Sequence, residues 1–494
     1  MSKLKSMTEN RYTLNDIFTK NYQYWLAAPL FIYLLTPVVH MIVYALLYSD
    51  TLTSTADAEY DPILHYMNTG EWQGDYYSAI IQFSFIISAF VAAVALISYF
   101  AWCRQNAIRQ TSDWIPMCFF AVYGFLIVIS TVINKTTFNY IFGLTARAEG
   151  VIEVIGYFLV FYLCGSLIRN EKIKYAAICF FLATGTVIGI LSLINLFVTD
   201  IGIIKDDTLS AIFYHHNFYA YYLSITIALC VALFSLSKKK AVAIVSFILF
   251  CFNSFILAVN DSLGGFIASI VSMVFLAVAF AIKRKKFPLR TVIAFAVFLA
   301  IVFVTGLFTP SFFSELTKLG SDVERIITDS ENAGDAGTAR WTLWVHTAKY
   351  IKEKPLFGWG FEGIADRLGT ETHADKTHNE YLENMAYYGI PAGVLYVLGL
   401  ISVYVKALIR HKKVDDVTLV CLTGAFAYIA SAFVGNAFIF IAPFFFIFLG
   451  LANNTHGQYP EPERVTDNTG EAVKESENPE TTPEIPDKTV EEES

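Results

Sequence analysis

Runs of about twenty apolar residues recur along this 494-residue chain, and a helix of that length spans the hydrocarbon core of a bilayer. A soluble protein of this size has no use for so many of them. Inside lipid each backbone N–H and C=O has to find its partner within the segment, so each run reads as a helix. Twelve spans follow: 24–47, 78–101, 114–133, 151–168, 175–198, 218–236, 241–259, 264–282, 288–308, 385–405, 416–434 and 437–451. The fold class expected is an all-α polytopic membrane protein.

Basic residues orient the spans. Lys3, Lys5, Arg11 and Lys20, then Arg104 and Arg109, then Arg169, Lys172 and Lys174 fall at one set of ends, as do Lys238 to Lys240, the basic run 283–286 with Arg290, and Lys406, Arg410, Lys412 and Lys413. The short loops at the opposite ends carry Lys135, Arg147 and Lys205. This asymmetry places both termini in the cytoplasm and the long polar segment 309–384 outside. The organisation expected is a cytoplasmic segment 1–23, spans one to nine over 24–308, the outer loop 309–384, the last three spans over 385–451, and a tail 452–494. Segment 1–23 is polar and the run after it is long enough to span, so no cleavable leader is expected. The tail is rich in Glu, Pro and Thr and too poor in apolar residues to fold alone; it accounts for the net charge of −8.

The seven cysteines fall in spans or at cytoplasmic ends, so neither a structural disulfide nor a Cys–His zinc site is expected. Mid-span positions are nearly free of ionisable residues, and the titratable groups gather at the outer ends, Glu153 among them. A proton- or ion-coupled transporter places acids near the midplane instead.

The outer loop holds two helix-like pieces. The first opens at Thr338 as N-cap, runs through Arg340, Trp341, Trp344, His346 and Lys349, and stops at Pro355. Arg340 in the first turn gains nothing from the helix dipole, which a role in binding anions explains; an interfacial helix resting its Trp residues on headgroups fits the same pattern. The turn 355–361, Pro-Leu-Phe-Gly-Trp-Gly-Phe, reads as structural. The second piece is sharper. Thr377 and Glu380 stand in the Thr-x-x-Glu relation of a capping box, which puts His378 on the first turn of a helix running toward the tenth span. That position favours neutral imidazole and anion binding; an exposed loop-to-helix junction is the plainer reading.

Three shorter outer elements complete the candidate set. Segment 134–150 holds Arg147 and Glu149; segment 199–217 ends in His215, His216 and Asn217; and Asn260, Asp261 and Ser262 form the turn of a helical hairpin. Adjacent helical histidines point about 100° apart, which favours hydrogen bonding over a shared metal. Asp261 and Ser262 are also good turn residues in their own right.

Taken together, Arg340-Trp341, the stretch Lys354 to Gly360, His378-Asn379-Glu380 with Gly389, and Gly143…Arg147…Glu149-Gly150 resemble the O-antigen ligase and polymerase superfamily of bacterial surface-polysaccharide enzymes. The resemblance covers about residues 80–450. One departure stands out: where the family often has Ser-Arg-Gly, this chain has Ser262-Leu263-Gly264. The family is similar to helical GT-C-type glycosyltransferases. The resemblance implies transfer of a glycan from undecaprenyl pyrophosphate to an acceptor hydroxyl on a glycan, a lipid or a protein, outside the cytoplasmic membrane, by a polymerase or ligase.

Within that reading Arg147 and Arg340 bind the diphosphate, which guanidinium forks do bidentately. His378 is the base that activates the hydroxyl, and attack at the anomeric carbon inverts it. His215, His216, Asn217, Glu149, Asn379, Glu380, Asp261 and Ser262 are the candidate substrate contacts. No metal, cofactor or nucleic-acid partner is expected; the partners are the lipid-linked glycan, its acceptor and the bilayer. Asp57, Glu59 and Asp61 keep a metal-dependent GT-C enzyme open, and a lipid-linked-glycan flippase is the main alternative.

Overall fold

The computed structural model describes part of residues 30–38 and most of 114–453, apart from short stretches, of which 144–148, 199–208, 210–212 and much of 308–335 are the longest. Segment 1–23, most of the first expected span, the second span, the acidic residues 57, 59 and 61, Arg147, and the tail from 454 lie outside the described residues.

Fourteen helices have defined bounds: α1 Trp114–Ile133, α2 Phe138–Ile141, α3 Val151–Ser166, α4 Glu171–Phe197, α5 His216–Leu236, α6 Lys240–Asn260, α7 Leu263–Arg284, α8 Leu289–Gly306, α9 Arg340–Glu353, α10 Ala365–Thr372, α11 Glu380–Tyr388, α12 Ile390–Ile409, α13 Asp416–Ser431 and α14 Ala442–Asn453. Among the described residues there is no strand. Seven helices (α1, α4 to α8 and α12) are long and apolar enough to cross a membrane, and α3, α13 and α14 are shorter apolar helices.

Helix α5 is the axis. Most of its side chains are buried, because α6, α7, α8 and α13 surround it. A helix that is apolar on every face has to be enclosed in this way. A second group packs α1 against α12 and α3 against α14, and α13 joins the groups by contacting both α7 and α14. Small residues allow these crossings: a Cβ on Gly265 would stand 2.7 Å from the Ala220 Cβ, and one on Gly450 would stand 2.7 Å from the Phe161 carbonyl oxygen. The outward faces of α1, α6, α7, α8 and α12 carry large exposed apolar residues such as Phe125, Ile248, Val274, Phe303 and Ile401. That is the surface a lipid-facing ring presents.

Three expected spans are corrected. The run 385–405 is two helices, because Gly389 breaks it with φ +92° and ψ 162°, and the long helix starts at Ile390. The last two runs are shorter than their apolar stretches: α13 ends at Ser431 and α14 begins at Ala442. The hairpin at 260–263 is as tight as its turn residues imply. Asp261 takes the left-handed conformation (φ +63°) between α6 and α7, which Asp tolerates better than most residues.

Helix α11 folds back beside α12 rather than continuing it. Its C-terminal end is clamped by the 355–361 turn: Trp359 N–H donates to the Ala386 carbonyl at 2.9 Å, Gly360 N–H to that of Tyr387 at 2.8 Å, and Ile390 N–H to that of Pro355 at 2.8 Å. Ser130, near the end of α1, donates to the Phe357 carbonyl at 2.6 Å. The glycine-broken turn is therefore a backbone clamp, as its composition implies. The other end of α11 reaches into the bundle, where Glu380 meets Tyr396. Tyr396 is six residues into α12, about 9 Å along its axis.

Candidate functional site

The first part of the site is the corner where α5, α6 and α7 meet. His215 is not helical; it is the N-cap of α5, and its ring Nδ1 accepts the Asn217 N–H at 3.2 Å. The expectation that both histidines lie on one helix is corrected accordingly. Their rings lie 4.2 Å apart, since a cap residue does not follow the helical rotation. Ser262 Oγ donates to Asn217 Oδ1 at 2.8 Å, and Asn260 Nδ2 donates to the His216 carbonyl at 3.0 Å, so the hairpin turn is tied to the start of α5.

Arg340, on the first residue of α9, joins this corner. It and Asp261 both act electrostatically on His216, and Arg340 also acts on Tyr221. The helix does not start as expected: Thr338 lies outside the described residues, and the N-cap position is Ala339, left-handed at φ +63° with no side-chain cap. Arg340 Nη1 donates to the Gly337 carbonyl at 3.2 Å, which holds the guanidinium across the open helix end. Leu343, Thr347, Tyr350 and Ile351 form the buried stripe of α9, which packs on α11. The structure thus gathers Arg340, His216, Asn217, Asp261 and Ser262 from three stretches of chain.

The second part is the start of α11. The expected capping box is not formed. Asn379 is the N-cap, with its side chain accepting the Leu382 N–H at 3.0 Å, while Thr377 is buried and its hydroxyl pairs with that of Thr347 at 3.1 Å. Glu380 does not reach back to Thr377. His378 therefore precedes the cap instead of lying on the first turn, and its backbone is left-handed at φ +50°. It is half-buried, between a buried Thr377 and a buried Asn379. The turn that follows α13 brings the two parts together: Glu380 N–H donates to the Ala432 carbonyl at 3.0 Å, and Tyr221 OH to that of Val434 at 3.0 Å.

The acids expected at the outer ends are not all solvent-exposed. Glu149, Glu380 and Glu383 are buried and line a cavity of about 30 Å³ with Tyr123, Tyr157, Tyr388 and Tyr396. That is room for a water molecule and not for a sugar. Tyr123 is halfway along α1. The Glu380 carboxylate accepts from Tyr396 OH and, at 2.8 Å, from Tyr428 OH; Glu149 accepts from Tyr157 OH at 2.8 Å. Burial pushes the Glu380 carboxyl up to about 7 against the pull of the two tyrosines. Burial likewise pushes Glu149 up to about 8, with the Lys376 ammonium and the Tyr157 hydroxyl opposing it. Lys376, itself 1% exposed, lies 2.5 Å from Glu362 and 3.3 Å from Glu383.

Sequence reasoning missed Lys376, Glu362, Glu383 and the tyrosines on α3, α12 and α13. One local signal was available: Glu380 and Glu383 are three residues apart, so they share a face of a short helix. Among the described residues no group of three or more His, Cys, Asp or Glu is arranged to hold a metal ion.

Residues 244–397 match the family described as O-Antigen ligase. No match is found among curated proteins. The matched stretch opens in α6 and closes in α12, and it contains Asp261, Ser262, Arg340, His378, Asn379 and Glu380. With seven helices among the described residues long and apolar enough to cross a membrane, the chain is a membrane protein, and its residues 244–397 are similar to the O-antigen ligase family.

Proposed function

We propose that this protein transfers a glycan from undecaprenyl pyrophosphate to an acceptor hydroxyl outside the cytoplasmic membrane, as a surface-polysaccharide polymerase or ligase. The observation that carries this reading is the joining of Arg340, the His216–Asp261 corner and the His378 segment through the turn after α13. A sugar on pyrophosphate already has a good leaving group, so the site needs charge stabilisation and a positioned base rather than a nucleophile of its own. Arg340 and Arg147 hold the diphosphate. His378 takes the proton of the acceptor hydroxyl as its oxygen attacks the anomeric carbon, the bond to pyrophosphate breaks, and the configuration inverts. His215, His216, Asn217, Asp261, Ser262 and Asn379 shape the surroundings, and no metal takes part.

The same reading gives the whole chain twelve spans and a GT-C-like arrangement, with both termini cytoplasmic and 309–384 outside. The test is transfer by purified protein in EDTA, using lipid-linked glycan extracted from cells lacking this protein. Arg340→Lys and Arg147→Lys, which keep charge and lose the fork, should each lower kcat/KM by about tenfold or more. Full activity in both refutes the diphosphate role. The buried carboxylates beside mid-span tyrosines favour one second reading, a lipid-linked-glycan transporter. Transport without any acceptor-dependent transfer would select it.

A further inference from the structure

We propose that Glu380 is a positioning residue for the transfer: its carboxylate, held between Tyr396 of α12 and Tyr428 of α13, fixes the His378–Asn379 segment against the bundle. The proposal rests on the reading of His378 as the base. The backbone explains the need. A left-handed conformation is unfavourable for a residue with a Cβ and persists only where its surroundings impose it. At His378 (φ +50°) the flanks do so. On one side Thr377 is pinned to Thr347 of α9. On the other, Asn379 caps α11, the Glu380 N–H is bound to Ala432, and the Glu380 side chain is gripped from two further helices.

A carboxylate suits this task because it accepts from two hydroxyls at once, and charged acceptors form the shorter, stronger bonds. Burying one is costly, so a merely space-filling position would carry an apolar residue. Other groups complete its surroundings. Tyr123 of α1, Tyr381 and Glu383 of α11, and Tyr396 and Tyr428 interact with it electrostatically, and Asn384 Nδ2 donates to its backbone carbonyl at 2.8 Å. Both carboxylate oxygens are taken by protein hydroxyls, so Glu380 acts on the reaction through the segment it holds.

The test compares Glu380→Ala, Glu380→Gln, Tyr396→Phe, Tyr428→Phe and the double tyrosine variant with His378→Ala. All are purified full length in detergent and assayed with the extracted lipid-linked glycan. A base displaced by about 1 Å loses on the order of 100-fold in rate. Glu380→Ala should lower kcat by about 10- to 100-fold while the donor KM stays within about threefold. Glu380→Gln, which keeps one acceptor oxygen, should recover part of that loss, and adding the tyrosine changes to Glu380→Ala should cost little more, since the groups act as one unit. A monodisperse Glu380→Ala with kcat within about twofold of the parent overturns the proposal, as does a raised donor KM at unchanged kcat. If Glu380→Ala does not fold, the double tyrosine variant decides, and full kcat there overturns the proposal. An inactive His378→Ala beside a fully active Glu380→Ala leaves the catalytic reading standing; an active His378→Ala removes both.

Discussion

Replacing Gly389 by alanine should loosen the join between α11 and α12, and the structure allows the cost to be worked out. At φ +92° and ψ 162° the residue occupies a region open to glycine and essentially closed to side chains, which costs on the order of 1–3 kcal/mol. The added Cβ would also stand 2.1 Å from the Leu356 carbonyl oxygen and 2.4 Å from its carbon. These are backbone atoms of the clamp, so relief means moving the 355–361 turn away from α11. That strains the bonds from Ile390 to Pro355, from Trp359 to Ala386 and from Gly360 to Tyr387. Loss of one or two of them adds about 1 kcal/mol each. The total is roughly 2–5 kcal/mol, a large share of an ordinary folding free energy. At a few degrees per kcal/mol, the thermal midpoint in detergent should fall by roughly 10 °C. Gly369→Ala is the control: it sits inside α10 with nothing within 4 Å of its Cβ position, so the midpoint should hold or rise slightly. A Gly389→Ala protein that melts with the parent would refute the clamp.

Two further predictions concern the buried charges. Lys376→Met leaves Glu362 and Glu383 without their cation in a buried setting and should destabilise by about 3–5 kcal/mol, read as a lower thermal midpoint at pH 7; an unchanged midpoint contradicts the pairing. The raised Glu149 carboxyl makes stability depend on pH. Its folded value of about 8 lies above the ordinary 4.5, so the folded chain holds a proton that the unfolded chain has released, and the stability this gives is complete below about 4.5 and lost as pH rises through 8. The midpoint should fall between pH 6 and 8.5, and Glu149→Gln should flatten that slope; an equal slope in both proteins counts against a protonated Glu149.

The sequence revealed the helices better than the site. The span at 114–133 is visible because the polar chemistry changes at both ends, and α1 has those bounds. The break at Gly389 was hidden, since apolar and aromatic residues continue through 385–405 and only the docked turn shows why a glycine is needed there. Thr377 and Asn379 are both good caps; the distant Thr347 hydroxyl takes Thr377, which leaves the helix to Asn379. Arg340 and His216 are separated by more than a hundred residues, and the packing of α9 brings them within reach. The carboxylate cluster was illegible for the same reason: Glu149, Glu362, Glu380 and Glu383 come from three separate stretches and share a site only after α11 folds back into the bundle.

The central claim is that His378 takes the acceptor's proton, and one pair of measurements on one variant tests it most directly. Purified His378→Gln is assayed for transfer from the extracted lipid-linked glycan and, beside it, for binding of that glycan. Glutamine keeps a polar group at the segment between Thr377 and Asn379 and has no lone pair basic enough to accept the proton. The account predicts donor binding close to the parent and transfer reduced by on the order of 100-fold or more. A His378→Gln protein that binds donor and turns over at most of the parent rate would contradict it.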